Sequence, residues 1–206
     1  DTKVVDRGAC DGLFINTSGI GAIPDGVDLS GANARPGDAV IVSGTLGDHS
    51  VAVMNARHGF GLSGDLASDV APLADLVRAM LAAGGVRVLR DPTRGGLATT
   101  LNEIAGQSRV SITVEERTLP VRPQVRGACE MLGLDPLYCA NEGKLVAVAD
   151  PGAAGALLAA MRGHRDGRDA AVIGTVGTGA GVALLTALGV HRPLLMLEGE
   201  ALPRIC

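Results

Sequence analysis

The stretch that decides the fold is Val86-Arg-Val-Leu-Arg-Asp-Pro-Thr-Arg-Gly-Gly-Leu97, which joins a predicted strand to a predicted helix. The strand is expected over residues 86–89 and the helix over residues 97–105. Backbone N–H groups at a helix N-terminus favour anions, and glycines let a ligand approach closely. The turn is therefore a candidate phosphate site, and its candidate residues are Asp91, Thr93, Gly95 and Gly96.

A plain structural role for the same turn stays open. Asp91 or Thr93 is equally suited to cap the helix without binding any ligand. The turn is not a Walker A loop, because no Gly-Lys-Ser/Thr follows its glycines.

Strands and helices alternate along the rest of the chain. The other predicted strands cover residues 3–5, 13–20, 39–42, 110–114, 144–149, 170–176, 182–185 and 194–197. The other predicted helices cover residues 50–57, 72–83, 124–132 and 153–161. Residues 24–37 are rich in turn formers and are expected to link two domains, and residues 177–181 are expected to form a hairpin turn. Because hairpins interrupt the alternation, the pattern predicts an α+β, mixed-sheet sandwich rather than a doubly wound parallel sheet.

Composition excludes several classes of protein. The 206 residues are 47% hydrophobic but include no Trp, one Tyr and two Phe, so the core must be aliphatic. The net charge is -4 and no basic stripe lies beside aromatic residues, which argues against nucleic-acid binding. No apolar run suits a membrane span and no signal peptide opens the chain. We expect a soluble cytoplasmic protein with no membrane partner, and a chain that begins at Asp1 in mid-pattern as a fragment.

Cys206 is the last residue, at the end of a polar, proline-bearing segment. A thiol in that position can reach out and carry a chemical group, although a lipid anchor, a disulfide partner or chance also fits. The remaining cysteines, Cys10, Cys129 and Cys139, form no C-x-x-C pair with it or with each other, so a structural zinc site is not expected.

Three further polar segments lie beside predicted strand ends, where ligands often bind in open sheets. Asp1 and Lys3 share one face of a strand and could hold Mg²⁺ and a phosphate oxygen, or form a surface ion pair. Glu142, between Asn141 and Lys144, could transfer a proton if partly buried, or belong to a solvated loop. His49 is the only histidine in a glycine-rich turn from a strand to a helix.

Six segments, taken in order, carry a resemblance to a known family. They are Asp1-Thr-Lys-Val-Val5, Phe14-Ile-Asn-Thr17 with Gly19-Ile-Gly21, Ser43-Gly-Thr-Leu-Gly-Asp-His49, Asp91-Pro-Thr-Arg-Gly-Gly96, Ala140-Asn-Glu-Gly-Lys144 and Pro203-Arg-Ile-Cys206. Together they resemble the carbamoyl dehydratases of hydrogenase maturation, in the aminoimidazole ribonucleotide synthetase superfamily. The glycine-rich segments are shared across that superfamily, whereas the Pro-Arg-Ile-Cys ending is far more specific to this family.

The resemblance implies a reaction that makes the cyanide ligands of [NiFe]-hydrogenase iron. A partner carbamoyltransferase would load a carbamoyl group onto Cys206, and ATP with Mg²⁺ would then activate the carbamoyl oxygen. Loss of phosphate and two protons would leave a thiocyanate, whose nitrile passes to iron on a partner maturation scaffold complex. The resemblance also implies a homodimer and the C-terminal domain of the synthetase-like fold.

Residue roles follow from the same resemblance. Cys206 is expected to be the nucleophile that accepts the carbamoyl group, Glu142 the base, and Lys3 a proton relay or a stabiliser of charge. Asp1 matches the side of the site that holds ATP and Mg²⁺. The other residues expected to line the ATP or phosphate region are His49, Asp91, Thr93, Gly95, Gly96 and Asn141.

The chain also departs from the family, because most of the family's N-terminal half has no counterpart here. Residues 1–34 are expected to be the remaining strands of the N-terminal ATP-binding domain and a linker. Residues 35–196 are expected to form the C-terminal domain, and residues 197–206 a flexible tail. The chain alone is therefore expected to be inactive, with residues 13–20 an exposed edge strand that pairs with another copy.

Other functions stay open. Another ATP-dependent member of the superfamily is one, such as selenophosphate synthetase, aminoimidazole ribonucleotide synthetase or thiamine monophosphate kinase, but those lack the terminal cysteine. A non-enzymatic carrier that presents a modified thiol is a second. A redox pair is disfavoured, because Cys129 and Cys139 lie in apolar stretches and are expected to be buried.

Overall fold

The computed structural model describes Gly8 and residues 18–62 and 64–197. The predicted strand at 3–5, the tail beyond residue 197, and the candidate residues Asp1, Lys3 and Cys206 lie outside the described residues. Only residues 18–20 of the predicted strand 13–20 are described; they are exposed and form no strand. Residues 24–37 contain turns and neither helix nor strand, as predicted.

Seven strands form one mixed sheet in the order β2-β4-β1-β5-β3-β6-β7. Every pairing is antiparallel except that of β3 with β6. The strands are β1 (Ala39–Val42), β2 (Val86–Arg90), β3 (Ser111–Glu115), β4 (Val146–Ala149), β5 (Ala171–Gly177), β6 (Gly181–Leu185) and β7 (His191–Pro193).

Helices cover both faces of this sheet, which confirms the predicted α+β sandwich. The helices are α1 (Asp48–His58), α2 (Ala74–Ala83), α3 (Gly96–Ser108), α4 (Pro123–Leu132) and α5 (Ala154–Arg162). The five predicted helices are all present, and their ends lie within three residues of the predicted ones. No helix in residues 18–62 or 64–197 is long and apolar enough to cross a membrane.

Side-chain alternation along the strands builds two aliphatic cores. Val40 and Val42 of β1 lie in the core against α3, whereas Ala39 and Ile41 lie in the core against α2 and α5. Successive strand residues point to opposite faces of a sheet, so a strand buried on both faces reads as a continuous apolar run. The absence of Trp is consistent with these cores, because Val, Leu, Ile and Ala fill them almost entirely.

The predicted hairpin at residues 177–181 is wrong. Strands β5 and β6 do not pair with each other, because β3 lies between them, antiparallel to β5 and parallel to β6. Ser111, the first residue of β3, lies opposite both Gly177 and Gly181, and its hydroxyl donates to the Thr178 carbonyl at 2.8 Å. Residues 178–180 therefore arch over the start of β3, a topology that a short glycine-rich connection does not reveal.

The predicted last strand at residues 194–197 is also wrong. The strand is β7, and the chain leaves the sheet after Pro193. Leu194 is buried in the core against α3, and side chains hold the backbone that follows: Asn102 donates to the Leu194 carbonyl at 2.8 Å and Tyr138 to the Leu195 carbonyl at 2.9 Å. The apolar residues 194–197 therefore form no strand, and Leu194 anchors the segment that leads toward the C-terminus.

Candidate functional site

Three polar loops meet at one edge of the sheet. Val42 at the end of β1 and Arg90 at the end of β2 both lie opposite Val146 at the start of β4. Since β4 runs antiparallel to both neighbours, the loops after β1 and β2 and the loop before β4 share that edge. The sequence placed these loops at strand ends, and the structure brings them together.

Asn141 joins the three loops. Its amide oxygen accepts from the Gly47 N–H at 2.8 Å, and its amide nitrogen donates to the Pro92 carbonyl at 3.1 Å and to the Cys139 carbonyl at 2.9 Å. The residue is fully buried. Asn141 is predicted to line the ATP region, but these hydrogen bonds are all made to the protein backbone. Its side chain therefore positions the loops.

The two glycines of the 91–96 turn are required for different contacts. Gly95 (φ 74°) and Gly96 (φ 62°) both lie in the left-handed region that L side chains rarely adopt. A Cβ on Gly96 would lie 2.6 Å from the Cys139 carbonyl oxygen, and one on Gly95 would lie 2.2 Å from the Thr99 hydroxyl. The start of α3 is thus pressed against the loop that carries Asn141.

The N-terminus of α3 also settles how this turn is capped. Gly95 is the N-cap, and no side-chain hydrogen bond caps the helix within the described chain. The alternative that Asp91 or Thr93 is a plain side-chain cap is therefore wrong; the Thr93 hydroxyl donates to Asp91 at 3.1 Å instead. A helix start without a side-chain acceptor leaves N–H groups for an anion.

A cleft of about 580 Å³ opens beside this helix start. Its lining brings Glu142 together with Thr93 and Gly95, two of the residues predicted to bind phosphate. Residues 196–197, which lead toward the C-terminus, line the same cleft. The lining residues are Arg90, Thr93, Arg94, Gly95, Thr99, Glu103, Glu142, Met196 and Leu197.

Glu142 has the features of a proton-transfer group in this cleft. It is half-buried, and its Oε1 is buried with no hydrogen-bond partner among the described residues. Its backbone N–H donates to Asp69 Oδ1 at 3.0 Å. A carboxylate oxygen without a protein partner is free to accept a proton or a hydrogen bond from a bound group.

Charged groups at the mouth of the cleft are paired with one another. Arg90 contacts Asp91 at 2.6 Å and Glu103 at 3.0 Å. Burial raises the pKa of Asp91, but hydrogen bonds from its backbone, from Arg90 and from Thr93 outweigh that effect and hold the pKa below its usual value. Asp91 therefore stays ionised, and it lies outside the lining of the cleft.

His49 does not line this cleft. It is buried at the start of α1, and its Nδ1 lies 2.8 Å from the Ser68 hydroxyl. Its Nε2 has no hydrogen-bond partner among the described residues. Its neighbour Asp48 accepts from Arg122 Nε at 2.6 Å. The predicted role of His49 in the ATP region stays a prediction.

Sequence reasoning missed several residues of this edge. The 91–96 turn contains Arg94, but the sequence assigns that residue no role. Glu103 lies two turns into α3, and only the fold shows that it reaches the cleft. Met196 and Leu197 were predicted to be strand residues. Asp69 gave no signal, because it lies in an irregular segment far in sequence from Glu142.

Asp1, the candidate Mg²⁺ ligand, lies outside the residues that the structure describes. Within residues 18–62 and 64–197, no group of three or more His, Cys, Asp or Glu side chains is arranged to hold a metal ion.

Comparison with known proteins gives a consistent picture. A sequence profile of the AIR synthase related protein C-terminal domain matches residues 35–186. The chain is 56% identical to the carbamoyl dehydratase HypE of Bradyrhizobium diazoefficiens, over all of this chain and 61% of that protein. It is also 56% identical to the carbamoyl dehydratase HypE of Cupriavidus necator, over all of this chain and 60% of that protein. The chain thus spans about three fifths of the length of the relatives it matches.

Solved structures agree with these relatives. The crystal structure of E. coli HypE, a hydrogenase maturation protein, has a TM-score of 0.87 and 46% identity, covering 90% of this chain and 58% of that one. HypE in complex with ATP has a TM-score of 0.83 and 50% identity, covering 86% and 55%. HypE in a HypE-HypF complex has a TM-score of 0.82 and 43% identity, covering 84% and 57%.

Proposed function

Because the chain belongs to the AIR synthase related proteins through their C-terminal domain, and matches HypE proteins along its whole length, we propose that it is part of an ATP-dependent carbamoyl dehydratase. In this proposal the protein acts in [NiFe]-hydrogenase maturation and converts a carbamoyl group on Cys206 into a thiocyanate. The chain by itself is proposed to be inactive, since the relatives have a further part that it does not span.

In the proposed reaction, the thiocarbamate on Cys206, S–C(=O)–NH₂, is phosphorylated on oxygen by ATP, and one proton leaves the nitrogen. The C–O bond then breaks, phosphate departs, and the second nitrogen proton is lost to give S–C≡N. One of the two protons stays on the phosphate, so the products are thiocyanate, ADP, hydrogen phosphate and one proton. The protein must therefore supply a proton acceptor and a positive environment for phosphate.

Glu142 is the proposed proton acceptor, and its position is the observation that carries the proposal. Its unpartnered Oε1 belongs to a side chain that lines the same cleft as Met196 and Leu197. Cys206 is the ninth residue after Leu197, and a chain of that length spans up to about 30 Å. The terminal thiol can therefore return to the cleft beside Glu142.

The helix start is the proposed phosphate side of the cleft. The N-terminus of α3 has no side-chain cap among the described residues, and Arg94 lines the cleft together with Arg90, whose guanidinium is already paired with Asp91 and Glu103. A helix N-terminus and guanidinium groups both stabilise phosphate oxygens. ATP, when bound, supplies the phosphoryl group that turns the carbamoyl oxygen into a leaving group. Mg²⁺ on Asp1 and a contribution from Lys3 remain proposals.

The partners follow from the same chemistry. The proposal includes a carbamoyltransferase that loads Cys206, for which the HypE-HypF complex of a relative provides support. It also includes a scaffold complex that accepts the cyanide, a homodimer, and the cytoplasmic setting that a reactive thiol needs. None of these partners requires nucleic acid or a membrane.

The test is the intact mass of the full-length protein after incubation with its carbamoyltransferase, carbamoyl phosphate and ATP. We expect a carbamoyl adduct on the C-terminal peptide that loses the mass of one water when ATP is present. A Cys206 that stays unmodified while ATP is consumed on a small substrate would assign the protein to another branch of the superfamily.

A pair of variants separates an enzyme from a carrier. Glu142→Gln should accept the carbamoyl group but fail to dehydrate it. Glu130→Gln is the matched control, because it makes the same chemical change at an exposed position of α4 that does not line the cleft, and it should dehydrate at a rate within about threefold of the wild type. Wild-type dehydration by Glu142→Gln would favour a thiol carrier whose chemistry is done elsewhere.

A further inference from the structure

We infer that Asp69 is a positioning residue for Glu142: its carboxylate holds the Glu142-Gly143-Lys144 turn so that the Glu142 side chain faces the cleft. The inference rests on the proposed function of Glu142. It concerns a residue from an irregular segment between α1 and α2 that does not line the Glu142 cleft itself.

Asp69 contacts the residues on both sides of Gly143. Its Oδ1 accepts the Glu142 backbone N–H at 3.0 Å, and its Oδ2 lies 3.6 Å from Lys144 Nζ. The Asp69 side chain is only 3% exposed and that of Lys144 13%. A carboxylate buried to this degree needs a charge partner and a donor, and the two sides of one turn provide them.

Gly143 presses this turn against the Asp69 segment. A Cβ at position 143 would lie 1.7 Å from the Asp69 carbonyl oxygen and 2.8 Å from the Ala71 nitrogen. No side chain larger than hydrogen fits between these backbones. The Glu142 turn can therefore not shift toward residues 69–71, and the Asp69 hydrogen bond keeps it from moving away.

The Asp69 segment is itself tied to the first loop of the site. The Ser68 hydroxyl lies 2.8 Å from His49 Nδ1 and accepts the Val70 N–H at 3.3 Å. On the other side of the turn, the Lys144 side chain packs on Gly44, where a Cβ would lie 2.9 Å from Lys144 Cε. His49 thus helps to fix the segment that holds Glu142, which gives this buried histidine a positioning role.

The two clefts at this edge show how Asp69 can act without touching substrate. Asp69 and Lys144 line a separate cleft of about 250 Å³, whereas Glu142 lines the larger one. The 142–144 turn lies between them and directs its two charged side chains to opposite sides. Loss of the Asp69 contact would therefore displace Glu142 without removing any group from the larger cleft.

The test compares Asp69→Ala and Asp69→Asn in the full-length protein. In Asp69→Ala the Glu142 amide should lose its protection from hydrogen exchange. The kcat for dehydration should fall about 100-fold, because a displacement of the catalytic group by about 1 Å is enough for that loss. The KM for ATP should change less than about threefold, because Asp69 does not line the cleft. Asp69→Asn keeps a neutral acceptor, so it should retain the protection, move the Glu142 amide proton resonance upfield and lower kcat less than tenfold.

Asp65→Ala is the matched control, since Asp65 belongs to the same segment but is 90% exposed and makes one long contact of 3.9 Å with Arg122; it should leave both readouts at wild-type values. An Asp69→Ala protein with unchanged Glu142 protection and kcat would overturn the inference. If that variant does not fold, an Asp69→Asn protein with an unmoved Glu142 resonance overturns it equally. Full activity of Glu142→Gln would instead remove the proposed function, while the amide measurements would still report whether Asp69 holds the turn.

Discussion

The amide oxygen of Asn141 accepts a hydrogen bond from the backbone N–H of Gly47 at 2.8 Å, although the two residues lie 94 positions apart in the sequence. The same side chain also donates to the Pro92 carbonyl of a second loop and to the Cys139 carbonyl of its own loop. A single buried amide therefore sets the spacing of the three loops at the functional edge, and its removal would disturb all of them.

Asn141→Ala is expected to lower the free energy of unfolding by about 3 kcal/mol, because it leaves the buried Gly47 N–H and the Cys139 carbonyl without the partner that Asn141 provides. The Pro92 carbonyl keeps the backbone N–H of residue 141. Denaturant unfolding followed by circular dichroism measures this change. Asn33→Ala is the control: it removes one exposed hydrogen bond, from Asn33 to the Asp28 carbonyl, and should cost less than about 1 kcal/mol. Equal effects of the two substitutions would contradict the role of Asn141.

The same change at two glycines of α3 should have opposite signs. Gly96→Ala should destabilise the fold by more than about 2 kcal/mol, because φ is 62° and the new Cβ would meet the Cys139 and Leu137 carbonyls at 2.6 Å. Gly106→Ala should stabilise it by about 0.5–1 kcal/mol, since nothing lies within 4 Å and Ala favours a helix. Melting temperatures of the two variants test the pair, and a stable Gly96→Ala protein would argue against the close approach of α3.

Acid should abolish the contribution of Asp91. Its pKa is lower in the folded protein than in the unfolded chain, so the stabilisation is present above the unfolded value near pH 3.9 and is lost as the pH falls through the folded value. Because the side chain is 55% exposed, Asp91→Asn should cost only about 0.5 kcal/mol near pH 7. Urea unfolding of both proteins should show this difference shrinking as the pH falls through the folded pKa of Asp91.

Asp25→Asn removes the same charge from an exposed turn and corrects for the change in net charge. After that correction, a cost of Asp91→Asn that stayed constant from neutral to strongly acidic pH would show that its carboxylate is not stabilised by Arg90 and Thr93.

The two buried thiols should resist alkylation. Cys129 and Cys139 are each 1% exposed, and the hydrogen bond to Cys129 together with burial raises the pKa of Cys139. The thiolate is the reactive form, so the raised pKa adds to the protection of Cys139, whereas the hydrogen bond with Cys139 lowers the pKa of Cys129 and leaves burial as its protection. Iodoacetamide should label both at least about 100-fold more slowly in the native protein than in denaturant. Peptide mapping by mass spectrometry follows each site, and rapid native labelling of Cys139 would show that this part of the core opens.

Local patterns predicted the elements that carry their own signal. The helices followed from apolar spacing, and the turn at residues 91–96 followed from its glycines, so the helix start that we propose as the phosphate side of the cleft could be anticipated. Asn141 and Glu142 were also recognised as polar residues before a strand. Which of the two faces the cleft depends on the turn around Gly143, and adjacent residues in a sequence do not reveal that.

Long-range placement was beyond local patterns. Asp69 reaches Glu142 only because residues 68–71 lie against Gly143, and no periodicity marks an irregular segment. The strand order failed for the same reason: the arch between Gly177 and Gly181 looks like a hairpin because the strand it encloses lies more than sixty residues earlier in the chain.

That arch imposes an order on folding. Because β3 lies between two strands that follow it in the chain and are joined by only residues 178–180, β5 and β6 cannot reach their final positions before β3 is available to receive both. An early β5–β6 hairpin would be a trap that must open before β3 can enter. During synthesis, the pairing of β3 with β6, which places Ser111 opposite Gly181, should therefore wait until β6 has emerged.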